Sequence, residues 1–144
     1  MVWGIISFEG VGPLQIVESR FNSANYVDIL ENHVVSFVGN GIFMHDNAPI
    51  HTARLCKDFL RNQAITTLDW PPCSPDINPI ENVWGYMKAK INSLTNPPKT
   101  GAELRIEIQR QWNSVPVFIL HNLYRSMFRR IQKVLRSSGS SCFY

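Results

Sequence analysis

Leu68-Asp69-Trp70-Pro71-Pro72-Cys73-Ser74-Pro75-Asp76-Ile77-Asn78-Pro79-Ile80-Glu81-Asn82-Val83-Trp84 is the stretch on which the reading of this chain turns. Prolines 71, 72, 75 and 79 forbid regular structure ahead of residue 79, because proline lacks an N–H and restricts the residue before it. The segment is nonetheless too aromatic and too specific for a linker. Asn78 then reads as an N-cap with Pro79 at the first helical position. The helix that follows lines up Ile80, Val83, Trp84, Met87 and Ile91 on one face, and Asn96-Pro97-Pro98 ends the segment. Glu81 sits in its first turn, at the border of the buried face. Two readings stay open for it: an acid that offsets the helix dipole, worth about 0.3–1 kcal/mol, or a carboxylate of a site.

Immediately upstream, Ile65–Leu68 reads as a short buried strand and Thr52–Gln63 as a helix with Ala53, Cys56, Phe59 and Leu60 inward. Pro49 breaks the chain before that helix. Ile42-Phe43-Met44 is a second buried strand, ending at His45-Asp46. Asp46 opens the phrase Asp46-Asn47-Ala48-Pro49-Ile50-His51-Thr52-Ala53. A carboxylate just past a sheet strand is where α/β proteins tend to build sites. An Asx turn or a helix cap is the competing reading.

Further out, Val2–Ser7 and Leu14–Val17 flank the turn-rich Glu9-Gly10-Val11-Gly12-Pro13, which predicts a β-hairpin. Asn22 or Ser23 caps a helix from near Ala24, with Tyr26, Ile29, Leu30, His33, Val34 and Phe37 on its buried face. Gly39-Asn40-Gly41 ends it. Toward the C-terminus, Thr100 and Glu103 form a capping box for a helix with the stripe Leu104, Ile108, Trp112. A last helix starts near Pro116. Its apolar face is Leu120, Leu123, Tyr124, Met127, Phe128, Ile131, Val134 and Leu135. Arg125, Arg129, Lys133 and Arg136 form a separate stripe at helical spacing, and 137–141 reads as a loose polar tail.

The 144 residues are 44% hydrophobic and 17% charged, which fits one domain with a real core and excludes a disordered tail. No apolar run approaches the ~20 residues of a membrane span, and no signal peptide is visible. Cys56, Cys73 and Cys142 are widely spaced, which suggests neither a disulfide framework nor a zinc site. A reducing compartment follows. Net charge is +3 but unevenly spread: −4 over residues 1–50, +2 over 51–100 and +5 over 101–144. A basic second half points to a polyanionic partner, against the plainer reading of a solvated helix face.

The phrases at 46–53 and 68–84, with 34 residues between Asp46 and Glu81, resemble the catalytic domain of Tc/mariner cut-and-paste DNA transposases. The spacing matches that between the family's second and third acidic residues, in the version ending in Glu. The opening at Met1–Ser7 with Gly10–Leu14, and Ser126-Met127-x-Arg129-Arg130-Ile131-x-Lys133-Val134, are also similar. The resemblance covers essentially the whole chain. It implies a ribonuclease H-like α/β fold with extra C-terminal helices. It implies a DDE endonuclease site of two Asp and one Glu that holds two Mg²⁺ or Mn²⁺ ions, with Asp46 second and Glu81 third. The chemistry implied is strand cleavage at transposon ends, then strand transfer and DNA integration. Asn47 and His51 belong to the same motif and either support the site or contact DNA; a structural role is equally open. Trp70 and Trp84 read as core, and His33 and His45 as ordinary packed or surface residues.

The resemblance also sets expectations about what these residues leave out. The family's first catalytic Asp belongs to a strand ahead of Val2–Ser7, central in the sheet. Glu9, Glu18 and Asp28 lack the strand-end context to replace it. The helix-turn-helix domains are absent as well, so 1–144 is expected to be part of a catalytic domain. Without the central strand, two strand edges face a gap with unpaired N–H and C=O groups. The 144 residues alone are then expected to be destabilised, to aggregate, or to shift a strand. They should bind Mg²⁺ weakly and have no appreciable cleavage activity. The expected partner is double-stranded DNA (transposon ends and target), with a homodimer open and no membrane. The location is nuclear in a eukaryote and intracellular otherwise. The competing expectation is a non-catalytic DNA- or protein-binding module that keeps the fold. An independent ribonuclease H-like nuclease is disfavoured by the missing Asp.

Overall fold

Caps and turn residues start most of the observed elements where the sequence predicts. The computed structural model describes residues 1–17, 20–72 and 74–136. Expectations on Glu18, Cys73, Cys142 and the tail 137–144 lie outside the described residues. Strands β1 (Val2–Ile6) and β2 (Val11–Ile16) form a two-stranded sheet. It is closed at the turn by Ser7 N–H donating to Gly10 O, and at the open end by Val17 N–H donating to Met1 O, both at 2.8 Å. Glu9 accepts from the Ser7 hydroxyl at 3.1 Å within that turn.

The chain divides into two compact units. The first comprises Met1–Trp3 and Gln15–Ser74. Here α1 (Ser23–Ile29) starts on an Asn22–Asn25 capping box, continues as a π-helix over Leu30–Val34, and finishes as α2 (Val35–Val38). Gly39 ends it at φ +52°, a conformation that glycine adopts without a Cβ clash. The short α3 (Pro49–Thr52) and α4 (Arg54–Asn62) meet at Ala53, whose ψ of 144° starts the helix expected from Thr52 at Arg54 and sets a separate helical turn ahead of it. Pro49 therefore opens a helix rather than interrupting the chain. Both α3 and α4 pack on α1. Tyr26, Ile29, Leu30, Val34, Phe43, Cys56 and Leu60 are buried in this unit.

The two expected strands at 42–46 and 65–68 are reduced to one parallel bridge, Phe43 with Thr67. Phe43 N–H donates to Thr66 O and Leu68 N–H donates to Phe43 O, each at 2.8 Å. Phe43 is buried, but Ile42 and Leu68 are exposed. Pairing stops where alternate residues find no apolar surface to cover, because β-structure is stabilised by such packing.

The second unit comprises Gly4–Leu14 and Pro75–Tyr144. A 3₁₀ turn at Pro75–Ile77 leads into α5 (Pro79–Asn92), which Asn78 caps by accepting from Ile80 N–H at 3.3 Å. The helix α6 (Gly101–Asn113) is capped by Thr100, which accepts from Glu103 N–H at 3.2 Å. Glu103 closes the other half on Lys99 N–H, at 2.7 Å, one residue ahead of the cap. The chain then runs through α7 (Val117–Arg136).

Val83, Met87, Trp112, Val115 and Leu120 form the core of this unit, with Trp84 and Leu123 packed around it. Trp112 stacks on Trp84 with ring centres 5.0 Å apart and donates from Nε1 to Gly12 O at 2.8 Å. The space beneath belongs to Gly4, where a Cβ would lie 2.8 Å from Trp112.

The apolar face expected for α7 is only partly buried. Phe128 (70% exposed), Ile131 and Leu135 (75% exposed) stand in solvent, as does Leu104 of α6. Arg130 is buried instead, because polar groups of the 75–82 segment offer its guanidinium partners that an apolar side chain could not use.

Candidate functional site

Asp46 follows the Phe43 bridge, and its backbone turn is set by its own side chain. Oδ1 accepts from Ala48 N–H at 3.0 Å, an Asx turn that leads into α3. Oδ1 also accepts from Nδ1 of His51 at 2.6 Å. The carboxylate is 57% exposed, whereas the His51 ring is mostly covered. Oδ2 has no hydrogen bond among the described residues. The Asx-turn and site readings of Asp46 are thus compatible: one oxygen holds the turn and the other stays open.

His51 is itself held from two sides. Its N–H donates to Ala48 O at 2.8 Å within α3. Its ring lies against Tyr26 at 4.1 Å between centres and stacks on His45 at 5.3 Å. His45 Nδ1 sits 2.9 Å from the Tyr26 hydroxyl. Burial, then the neighbouring His51, lowers the His45 pKa to about 4, so the ring is neutral near pH 7. Burial pushes the Tyr26 hydroxyl far above its ordinary value, so it stays protonated. Tyr26 O–H and the neutral His45 ring therefore share one hydrogen bond at Nδ1, whose direction follows the His45 tautomer. His45 is a packed residue, as the sequence suggests. His33 stacks beside Trp3 at 6.1 Å.

Asn47 ties the Asp46 loop to the segment at Trp70. Its Nδ2 donates to Trp70 O at 2.5 Å, across 23 residues of sequence. The loop carrying Asp46 is thereby fixed to the proline-rich segment.

Glu81 belongs to the second unit, in the exposed first turn of α5. Asn82 beside it accepts from Nη1 of Arg130 at 2.5 Å. Arg130 is the residue that sequence reasoning missed. The signal was present: it lies three residues after Met127 and seven after Leu123, on the inward side of α7. Arg125, Arg129, Lys133 and Arg136 are all exposed along α7, as their spacing predicts.

Asp46 and Glu81 are oxygen donors of the kind that hard divalent cations take, and neither carboxylate is consumed by a lysine or arginine ion pair among the described residues. Among the described residues, no group of three or more His, Cys, Asp and Glu gathers as a metal centre. No described helix is long and apolar enough to cross a membrane.

The architecture is the ribonuclease H-like fold of the Mos1 mariner transposase catalytic domain. A structure of that domain with raltegravir and Mg superposes at TM-score 0.87 and 19% identity, over 99% of this chain and 76% of that one. A Mos1 paired-end complex with the left transposon end matches at TM-score 0.85 and 20% identity, over 96% of this chain and 43% of that one. The family described as DDE superfamily endonuclease matches residues 1–105, and the chain belongs to it. Its relatives there are Tc/mariner transposases. The Tc3 transposase of Caenorhabditis elegans is 34% identical over 149 residues, covering 100% of this chain and 45% of that protein. The Tcb2 transposase of Caenorhabditis briggsae is 33% identical over 145 residues, covering 96% and 52% respectively. The chain spans about half the length of these curated relatives.

Proposed function

We propose that the chain supplies the second and third carboxylates, Asp46 and Glu81, of a cut-and-paste transposase site that cleaves and rejoins double-stranded DNA. The observation that carries this reading is the Asp46 carboxylate, fixed through Oδ1 by His51 and Ala48 and left open at Oδ2. A fixed carboxylate loses little orientational freedom on taking up a ligand. Asp46 and Glu81 would hold Mg²⁺ or Mn²⁺, which supplies an activated oxygen nucleophile and stabilises the leaving 3′-oxygen. His51 keeps the Asp46 carboxylate in one rotamer. Asn47 keeps its loop on the Trp70 segment. The basic stripe of α7 meets DNA phosphates, which position the duplex without reading sequence. Transposon ends and target DNA are the substrates, a second copy of the chain is a further partner, and the location is the nucleus in a eukaryotic source.

Two measurements test this. Mn²⁺ titrated into ¹³C-labelled chain is expected to broaden the carboxylate signals of Asp46 and Glu81. Loss of that response in Asp46→Asn and Glu81→Gln would support the site, and no response at either residue in the wild type overturns it. A Mg²⁺-dependent nuclease assay on labelled duplex is expected to show no appreciable cleavage by the 144 residues alone. Cleavage that disappears in both variants would sink that expectation.

The second reading, a binding module without catalysis, is favoured by the exposed Arg125, Arg129 and Lys133 on α7. Salt-dependent DNA binding with no metal response at Asp46 and Glu81 would select it.

A further inference from the structure

The buried guanidinium of Arg130 reaches both sides of the cap that starts α5. Arg130 is 5% exposed. Its Nε donates to the Ser126 hydroxyl one turn back on α7, at 2.9 Å. Its Nη1 donates to Asp76 O at 3.4 Å and to Asn82 Oδ1 at 2.5 Å. Asp76 precedes the Asn78 cap and Asn82 follows it, so the bonds bracket the cap, Pro79 and Glu81. The first N–H groups of a helix lack intrahelical partners, so this turn is the part most prone to fraying. A buried arginine is also the side chain best suited to bridge several acceptors, since its planar fork fixes their geometry. Packing alone does not call for a guanidinium here: the neighbouring positions Met127 and Val134 are apolar.

We propose that Arg130 is a positioning residue: through Asn82 and the Asp76 carbonyl it pins the first turn of α5 and so fixes where the Glu81 carboxylate is presented. This rests on the reading of Glu81 as a metal-binding carboxylate only for its functional consequence; the clamp itself can be tested without metal. A lysine cannot replace it, because one ammonium on a flexible stem does not hold the forked geometry.

The test compares Arg130→Lys, Arg130→Met and Asn82→Ala in the 144-residue chain by amide hydrogen exchange. The expected result is exchange faster by about tenfold or more at Glu81, Val83 and Trp84, as for loss of a charge-assisted bond. Exchange at Ile108 in α6 is expected to stay within about twofold. Acceleration that is uniform across α5 and α6, or none at the start of α5, overturns the proposal. Should Arg130→Met fail to fold, Asn82→Ala removes the bond to α5 and leaves those to Ser126 and Asp76. The second readout is Mn²⁺ broadening of the Glu81 carboxylate, expected to weaken several-fold in all three variants. A wild-type chain with no Mn²⁺ response at Glu81 overturns the metal reading, while the exchange result still decides the clamp. Local fraying with an undiminished Mn²⁺ response would overturn the link from clamp to carboxylate.

Discussion

Nδ1 of His51 lies 2.6 Å from Oδ1 of Asp46, and the same oxygen accepts from the Ala48 N–H at 3.0 Å. His51 has its ring on Tyr26 and its backbone in α3, so it is a fixed donor aimed at an exposed carboxylate. Replacing it by alanine should free Asp46 to sample other rotamers. Asparagine, whose amide occupies the place of Nδ1, should keep the bond. We expect His51→Ala to weaken Mn²⁺ broadening at Asp46 several-fold and His51→Asn to restore most of it. The stability cost of His51→Ala should be about 1–3 kcal/mol, chiefly from the missing ring packing, since the hydrogen bond to the exposed Asp46 carboxylate is open to solvent. An unchanged Asp46 response in the alanine variant would show that the Asx turn alone holds the carboxylate.

Gly4 faces Trp112, whose ring is stacked on Trp84 and tethered to Gly12 O. A methyl group there has no room, and the tryptophan cannot swing away without breaking its hydrogen bond. Gly4→Ala should destabilise the chain by about 1–3 kcal/mol, read by urea unfolding. Trp112→Phe in the same background should recover part of that stability. A wild-type midpoint in Gly4→Ala would mean that the tryptophan pair is loosely held.

Asn78 caps α5 through Ile80 N–H while itself buried. Asn78→Ala should cost about 1 kcal/mol, and Asn78→Asp or Asn78→Ser should keep most of the stability because both can accept the same bond. Thermal melts separate the three. If alanine and aspartate melt alike, the Pro75–Ile77 turn and the Arg130 bonds carry the helix start without the cap.

Arg125, Arg129 and Lys133 stand exposed in one row of α7. Replacing each by alanine should weaken binding to duplex DNA about equally for unrelated sequences. For every phosphate that a substitution leaves unneutralised, the dependence of log K on log salt should flatten by about 0.9. Fluorescence anisotropy with a labelled duplex at several salt concentrations measures both quantities. Binding unaffected by all three substitutions would assign the row to a solvated helix face.

The sequence by itself determined what is settled within a few residues. The Asn22 and Asn78 caps, Pro79 at the first helical turn and the Thr100 cap all appear where the residues predict, and the hairpin forms, although β2 starts at Val11, inside the stretch expected to be its turn. Each is a local hydrogen bond or a fixed dihedral, so neighbours in sequence suffice to specify it. The spaced phrases around Asp46 and Glu81 likewise identified the family. Tertiary structure decided the rest, because it depends on partners far along the chain. Ile42–Met44 and Ile65–Leu68 look like full strands from their apolar residues. How much of each pairs depended on what lay beside it, and one bridge formed. The break at Ala53 and the hydrogen bond from Asn47 to Trp70 are of the same kind. On α7 the periodicity named an apolar face but could not say how far it would be covered, so Phe128, Ile131 and Leu135 ended exposed. Arg130 shows the reason most plainly. Its burial is set by acceptors 48 and 54 residues earlier in sequence, and only the folded chain brings those within reach of its guanidinium.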